Sequence, residues 1–291
     1  MSWSLPILNR DRAARWTFGF AFFIFIYRLA TFTLVHQMQQ PVLYETEFDY
    51  TYWLFHATGI PELITGSQTI AWAFDILLLS STLYCWASSG KRSWAVLVCA
   101  ICWSLYGLIY NSYSHHHNIS VIGFMVLPYV FLVQKKKKFR LAWEGLRYFY
   151  LYIFSDAFVQ KALIKQGLFF VPNGAEFIKI NQSLFMVQHP DSIFTHLYAW
   201  IISHPGLAYT GFLLMILLQG CMIIGFFTHK YDRWLFWIPI LFHTMNLLFI
   251  DVFFYELLIL NLTLLPFGKE KEAPSTVDET LNGPFVNTAK E

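Results

Sequence analysis

Long apolar stretches alternate with short polar segments along this chain, and the length of those stretches is the first clue to its architecture. A helix needs about 20 mostly apolar residues to cross a bilayer core, and about eight stretches approach that length. They are residues 16–35, 68–88, 94–111, 119–133, 142–160, 207–228, 234–250 and 252–267. The fourth is short and contains Pro128, and only Asp251 separates the last two, so the count spans roughly seven to nine. The pattern predicts an all-α polytopic integral membrane helix bundle. The stretch from Lys161 to Pro205 is too polar to span and is expected to form interfacial helices.

The polar segments orient the bundle. Arg10, Arg12 and Arg15, then Lys91 and Arg92, then Lys135 to Arg140, then Lys230 and Arg233, then Lys269 and Lys271 form basic segments that alternate with acidic, neutral or mixed ones. By the excess of Lys and Arg in cytoplasmic loops, both termini are cytoplasmic. The expected organisation is a cytoplasmic N-terminus over 1–15, one membrane domain over 16–267, and a disordered cytoplasmic tail over 268–291. No fixed-period repeat is visible. The first apolar run lacks a small-residue cleavage site and reads as a retained span.

Composition agrees with the pattern. The chain is 56% hydrophobic and 20% aromatic, and its 13% charged fraction is about half that of a soluble domain. A net charge of +2 without a basic stripe excludes nucleic acid as a partner. All four cysteines lie in apolar stretches, so a disulfide-stapled outer domain is not expected. Cys99 and Cys102 have redox spacing, but their mid-span position favours a packing role.

Against this apolar background Asp75, Lys161, His243 and Glu256 stand out, because a polar group at membrane depth must be paired or solvated. Taken singly, each reads equally well as a snorkelling or helix-pairing group. At about 1.5 Å per residue, however, they and Arg28, His36, Asp156, Asn246 and Asp251 fall mostly in the outer half of the bundle. That gathering suits a pocket for proton transfer, an ion or a polar headgroup. Lys161 ends an aromatic helix, and an amine in an apolar setting can serve as a base at ordinary pH. His243 and Asn246, three residues apart, share a helix face. Three consecutive imidazoles at His115 to His117 cannot all face one ion, so no metal site is expected there. The aromatic run Tyr148, Phe149, Tyr150 and Tyr152 is core or lipid-facing material that would also suit a flat quinone-like ring.

Three of these segments, in order, resemble the membrane domain of the vitamin K-dependent gamma-carboxylase family, also called the horizontally transferred transmembrane domain. They are His116-His117-Asn118-Ile119; Tyr152-Ile153-Phe154 through Val159-Gln160-Lys161; and Phe242-His243-Thr244-Met245-Asn246 with the following Phe253, Phe254 and Tyr255. The resemblance implies a reduced, vitamin K-like quinone as cofactor, oxygen and carbon dioxide as co-substrates, and a carboxylase (lyase) reaction begun by proton abstraction. It implies Lys161 as the base, His117 in the oxygen-dependent step, and His243 completing the catalytic set. Asn246, His116 and Tyr152 would line the cofactor, and which of His116 and His117 matches the family's histidine stays open. The expected location is a bacterial inner membrane, with lipid, a membrane quinone and a membrane-protein partner as the neighbours. Two rival classes remain: a quinone-linked redox subunit using Cys99 and Cys102, and a non-catalytic assembly or transport component.

Overall fold

The computed structural model describes residues 6–38, 50–111, 125–164, 174–251 and 253–268. The architecture is all-helical, and among the described residues the one extended pairing is an isolated bridge between Leu8 and Phe267. The helices are α1 (Arg10–Ala30), α2 (Tyr50–Ala57), α3 (Ile60–Thr65), α4 (Gln68–Ala87), α5 (Ser93–Asn111), α6 (Lys136–Val159), α7 (Gly174–Gln188), α8 (Ile193–Ser203), α9 (Pro205–Cys221), α10 (Asp232–Leu235), α11 (Trp237–Ile250) and α12 (Tyr255–Ile259). Five helical segments are long and apolar enough to cross a membrane: Arg10–Gln37, Gln68–Ala87, Ser93–Tyr110, Pro205–Phe226 and Asp232–Ile250. They remain apolar on their outward faces, where Phe20, Phe23, Trp72, Leu77 and Ile101 are exposed. Helices apolar inside and out are those of a membrane bundle, whose surroundings are as oily as its core.

Local chemistry sets the helix ends. Asn9 caps α1, its side chain accepting from the Arg12 amide at 2.9 Å. α4 and α5 are joined by a tight turn in which Ser89 and Gly90 take positive φ, 54° and 63°. A Cβ on Gly90 would lie 3.3 Å from the Phe18 ring, so glycine also lets this turn press on α1. The core continues through Phe18, Trp103, Phe131, Phe139 and Trp143, a column of edge-to-face and tilted aromatic contacts that joins α1, α5 and α6 through Phe131 between them.

Hydrogen bonds gather the basic segments at one end of the bundle. Leu8 donates its amide to Pro266 O at 2.8 Å, and Gly268 donates to Leu8 O at 2.9 Å. Arg10 donates to the Gly90 and Phe131 carbonyls at 3.0 and 2.8 Å, and Gln134 Nε2 to Ser93 Oγ at 2.9 Å. At this end also, buried Arg147 grips Asp232 through Nε at 2.9 Å and Nη2 at 2.5 Å. It also donates to Glu144 at 3.1 Å and to Gly225 O at 2.9 Å. α7 and α8, at 15 and 11 residues, are too short to cross at 1.5 Å per residue. They lean on the far end of α11, where Tyr198 Oη donates to Leu248 O at 2.6 Å.

Three of the expected crossings are not among the five membrane-length segments. Residues 142–159 of the fifth stretch lie within the 24-residue α6, which carries Glu144, Arg147 and Asp156. Of 119–133 only the final part is described, a 3₁₀ segment Leu127–Leu132 opened by Pro128. The 252–267 stretch is not one long helix: α12 passes at once into the 3₁₀ segment Leu260–Leu264, together about 17 Å by their rises. Asp251, at φ 53°, breaks the chain ahead of it. The expected tail beyond Gly268 lies outside the described residues.

Candidate functional site

The C-terminal end of α6 widens into a π-turn, Gln160–Ile164, carrying Lys161. Such turns insert one residue into the helical ladder, re-aim the side chains beyond it and recur at functional sites. Lys161 Nζ donates to Gln219 Oε1 of α9 at 3.2 Å and lies 5.6 Å from the centre of the Phe242 ring on α11. Gln219 itself is buried. It is the lone amide in the apolar run from Phe212 to Ile224, which was the available sequence signal for it.

Next to Phe242, His243 is 1% exposed. Four aromatic rings surround the imidazole: Phe154 at 5.9 Å, Phe242 at 5.3 Å, Phe253 at 5.9 Å and Phe254 at 5.5 Å. Neither Nδ1 nor Nε2 has a hydrogen-bond partner among the described residues. Buried polar atoms are nearly always paired, so two orphaned nitrogens on one ring mark a place where a ligand or water belongs. Phe242 stands next to both groups, its ring centre 5.6 Å from Lys161 Nζ and 5.3 Å from the imidazole. Asn246, one turn on, is half-buried, and its backbone carbonyl accepts from the Asp251 amide that closes the helix.

The structure therefore brings Lys161 and His243 together, with Gln219 as the contact that sequence reasoning missed. Tyr152 is not joined to them. It is 56% exposed on α6, nine residues and about 14 Å of helix before Lys161. Its ring faces outward because the inner face of α6 is taken by Tyr150, Leu151 and Phe154. His116 and His117 lie outside the described residues.

Asp75 and Glu256 have other partners. Asp75 accepts from the Val35 and His36 amides at 3.2 and 2.8 Å and pairs with His36 Nδ1 at 2.7 Å, while Trp72 stacks on the imidazole at 3.6 Å. A carboxylate from α4 thus caps the turn that ends the first membrane segment. Glu256 pairs with Arg28, which also donates to Tyr110 Oη at 2.6 Å. Cys99 and Cys102 are buried free thiols, with Cys99 Sγ 3.6 Å from Thr82 Oγ1 between α4 and α5. Among the described residues no group of three or more His, Cys, Asp or Glu could hold a metal ion.

No protein-family model, curated protein or solved structure matches the chain.

Proposed function

We propose that this membrane protein crosses the bilayer about eight times, with its Leu8–Phe267 end cytoplasmic, and performs quinol- and oxygen-dependent proton abstraction or carboxylation at an outward-facing Lys161–His243 site. The observation that carries the reading is an amine fixed by one amide oxygen beside an aromatic-walled imidazole whose two nitrogens have no partner among the described residues.

A reduced quinone fits these residues. Phe154, Phe242, Phe253 and Phe254 offer faces and edges to a flat ring, and His243 offers one N–H and one lone pair to a ring hydroxyl. Such a group, when bound, supplies ionisable hydroxyls and two electrons. The chain supplies the proton chemistry. Gln219 Oε1 accepts one Lys161 N–H and directs the nitrogen lone pair of the neutral amine elsewhere, so that Lys161 takes a proton from a hydroxyl held at His243. The phenyl walls keep water from the imidazole. Asn246 lies one turn beyond His243 on the same face and extends the polar lining.

The test is epoxide formation by the purified protein given reduced menaquinone or vitamin K, oxygen and bicarbonate. Product from the wild type and none from Lys161→Ala supports the reading. No epoxide from either protein sinks it.

A further inference from the structure

On the face of α11 turned away from the bundle, Trp234, Trp237, Ile238, Ile240, Leu241 and Thr244 line an open apolar groove of about 550 Å³. Trp234 and Trp237 are 70% and 50% exposed. The helix continues unbroken in geometry from α10 into α11, so Arg233, Trp237, Ile240, Leu241 and Thr244 fall on one stripe at helical spacing. Exposed Lys230 and Arg233 precede Trp234 in the chain, at the N-terminal end of the groove.

Those two cations are left over. The carboxylates of this corner, Asp232 and Glu144, are engaged by Arg147, and His229 reaches them as well, at 3.0 and 3.3 Å. No ion pair joins Lys230 or Arg233 to a carboxylate of the described residues; Lys230 Nζ instead lies 5.6 Å from the Tyr231 ring. From Trp234 to Thr244 the groove runs about 15 Å at 1.5 Å per residue, half of a hydrocarbon core of about 30 Å. The match is to one leaflet, with positive charge where that leaflet's headgroups begin.

We infer that the groove seats an acyl chain of an anionic phospholipid whose phosphate is held by Lys230 and Arg233. Tryptophan at the headgroup level and a guanidinium able to grip phosphate through two N–H groups are the chemistry such a lipid selects. The inference uses the membrane placement of α11 and is independent of any reaction at Lys161.

Tryptophan quenching by brominated lipid tests it. The full chain is placed in phosphatidylcholine nanodiscs doped with brominated phosphatidylglycerol or brominated phosphatidylcholine. The difference in emission between the wild type and the Trp234→Phe/Trp237→Phe variant isolates the groove. Half-quenching is expected at a several-fold lower mole fraction of the brominated anionic lipid. That preference should vanish in Lys230→Gln/Arg233→Gln, and in the wild type at high salt. Equal quenching by both lipids in the wild type overturns the headgroup assignment. A groove quenched by neither, with the other tryptophans still quenched, overturns it in favour of a second copy covering the face. No quenching of any tryptophan removes the membrane placement as well.

Discussion

Arg28 on α1 and Glu256 on α12 meet side chain to side chain across 228 residues of sequence, with both residues nearly sealed from the surface. The guanidinium also donates to Tyr110 Oη and lies 4.2 Å from the Tyr110 ring, so α5 shares in the same contact. One buried pair thereby ties together the first, third and last of the packed segments. Neutralising either member leaves the other as an uncompensated charge in a low-dielectric site.

Arg28→Met and Glu256→Leu should each lower stability by about 3–5 kcal/mol, whereas the double substitution should cost much less than their sum. Thermal unfolding in detergent measures this. Additive losses would show that the pair is not coupled.

Asp75→Ala removes the acceptor of two backbone amides and the partner of His36. Leaving buried donors unmet costs about 1–3 kcal/mol, and the effect should be local. Hydrogen exchange should speed up at Val35 and His36 with the middle of α4 unchanged. Unaltered exchange at these amides would remove the capping role.

Gly174 opens α7 against α9, where an added Cβ would lie 2.4 Å from the Ala208 carbonyl oxygen. Backbone oxygen cannot rotate away, so Gly174→Ala should destabilise by about 1–3 kcal/mol. Gly145→Ala, inside α6 with open space around it, should instead be neutral or gain up to about 1 kcal/mol. Melting temperatures moving in the same direction for both would contradict the packing described.

At the Lys161 site, Gln219→Leu keeps the volume and removes the acceptor. Turnover should fall on the order of 10²-fold, since a base displaced by about 1 Å loses that much, with KM little changed. Gln219→Glu should restore part of the rate. A loss confined to KM would make Gln219 a binding group and not the aligner of the lysine.

Side-specific labelling checks the arrangement of ends. Arg12→Cys and Lys230→Cys should both resist an impermeant maleimide in intact spheroplasts and react after permeabilisation, while Asp191→Cys should react at once. All three positions are exposed, whereas Cys85, Cys99 and Cys102 are buried and add little background. Labelling of Arg12→Cys and Lys230→Cys from opposite sides would break the orientation.

Which of these features could be read from residues alone follows from their range along the chain. α4 and α5 begin and end within about a residue of expectation, because Ser89, Gly90, Lys91 and Arg92 punctuate two clean apolar runs. The helical form of the 252–267 stretch was not legible, since apolarity reports burial and cannot distinguish a 3₁₀ segment from a long α-helix. Lys161 and His243 were visible as polar residues in oily surroundings. The anchoring of Lys161 by Gln219 was not, because it depends on a π-turn and on an amide 58 residues away. Asp75 and Glu256 looked equally suggestive, and their partners, 39 and 228 residues distant, turn them into braces.

The distance between Arg28 and its partner also has a meaning in time. At about 5–20 residues per second of synthesis, Glu256 is made roughly 10–45 s after Arg28. For that interval the first membrane segment holds an arginine with no counter-charge, and Leu8 has no Pro266 or Gly268 to bind. The earliest membrane segment therefore receives its last partners only when the chain is nearly complete, although Asp75 and Gly90 reach it long before.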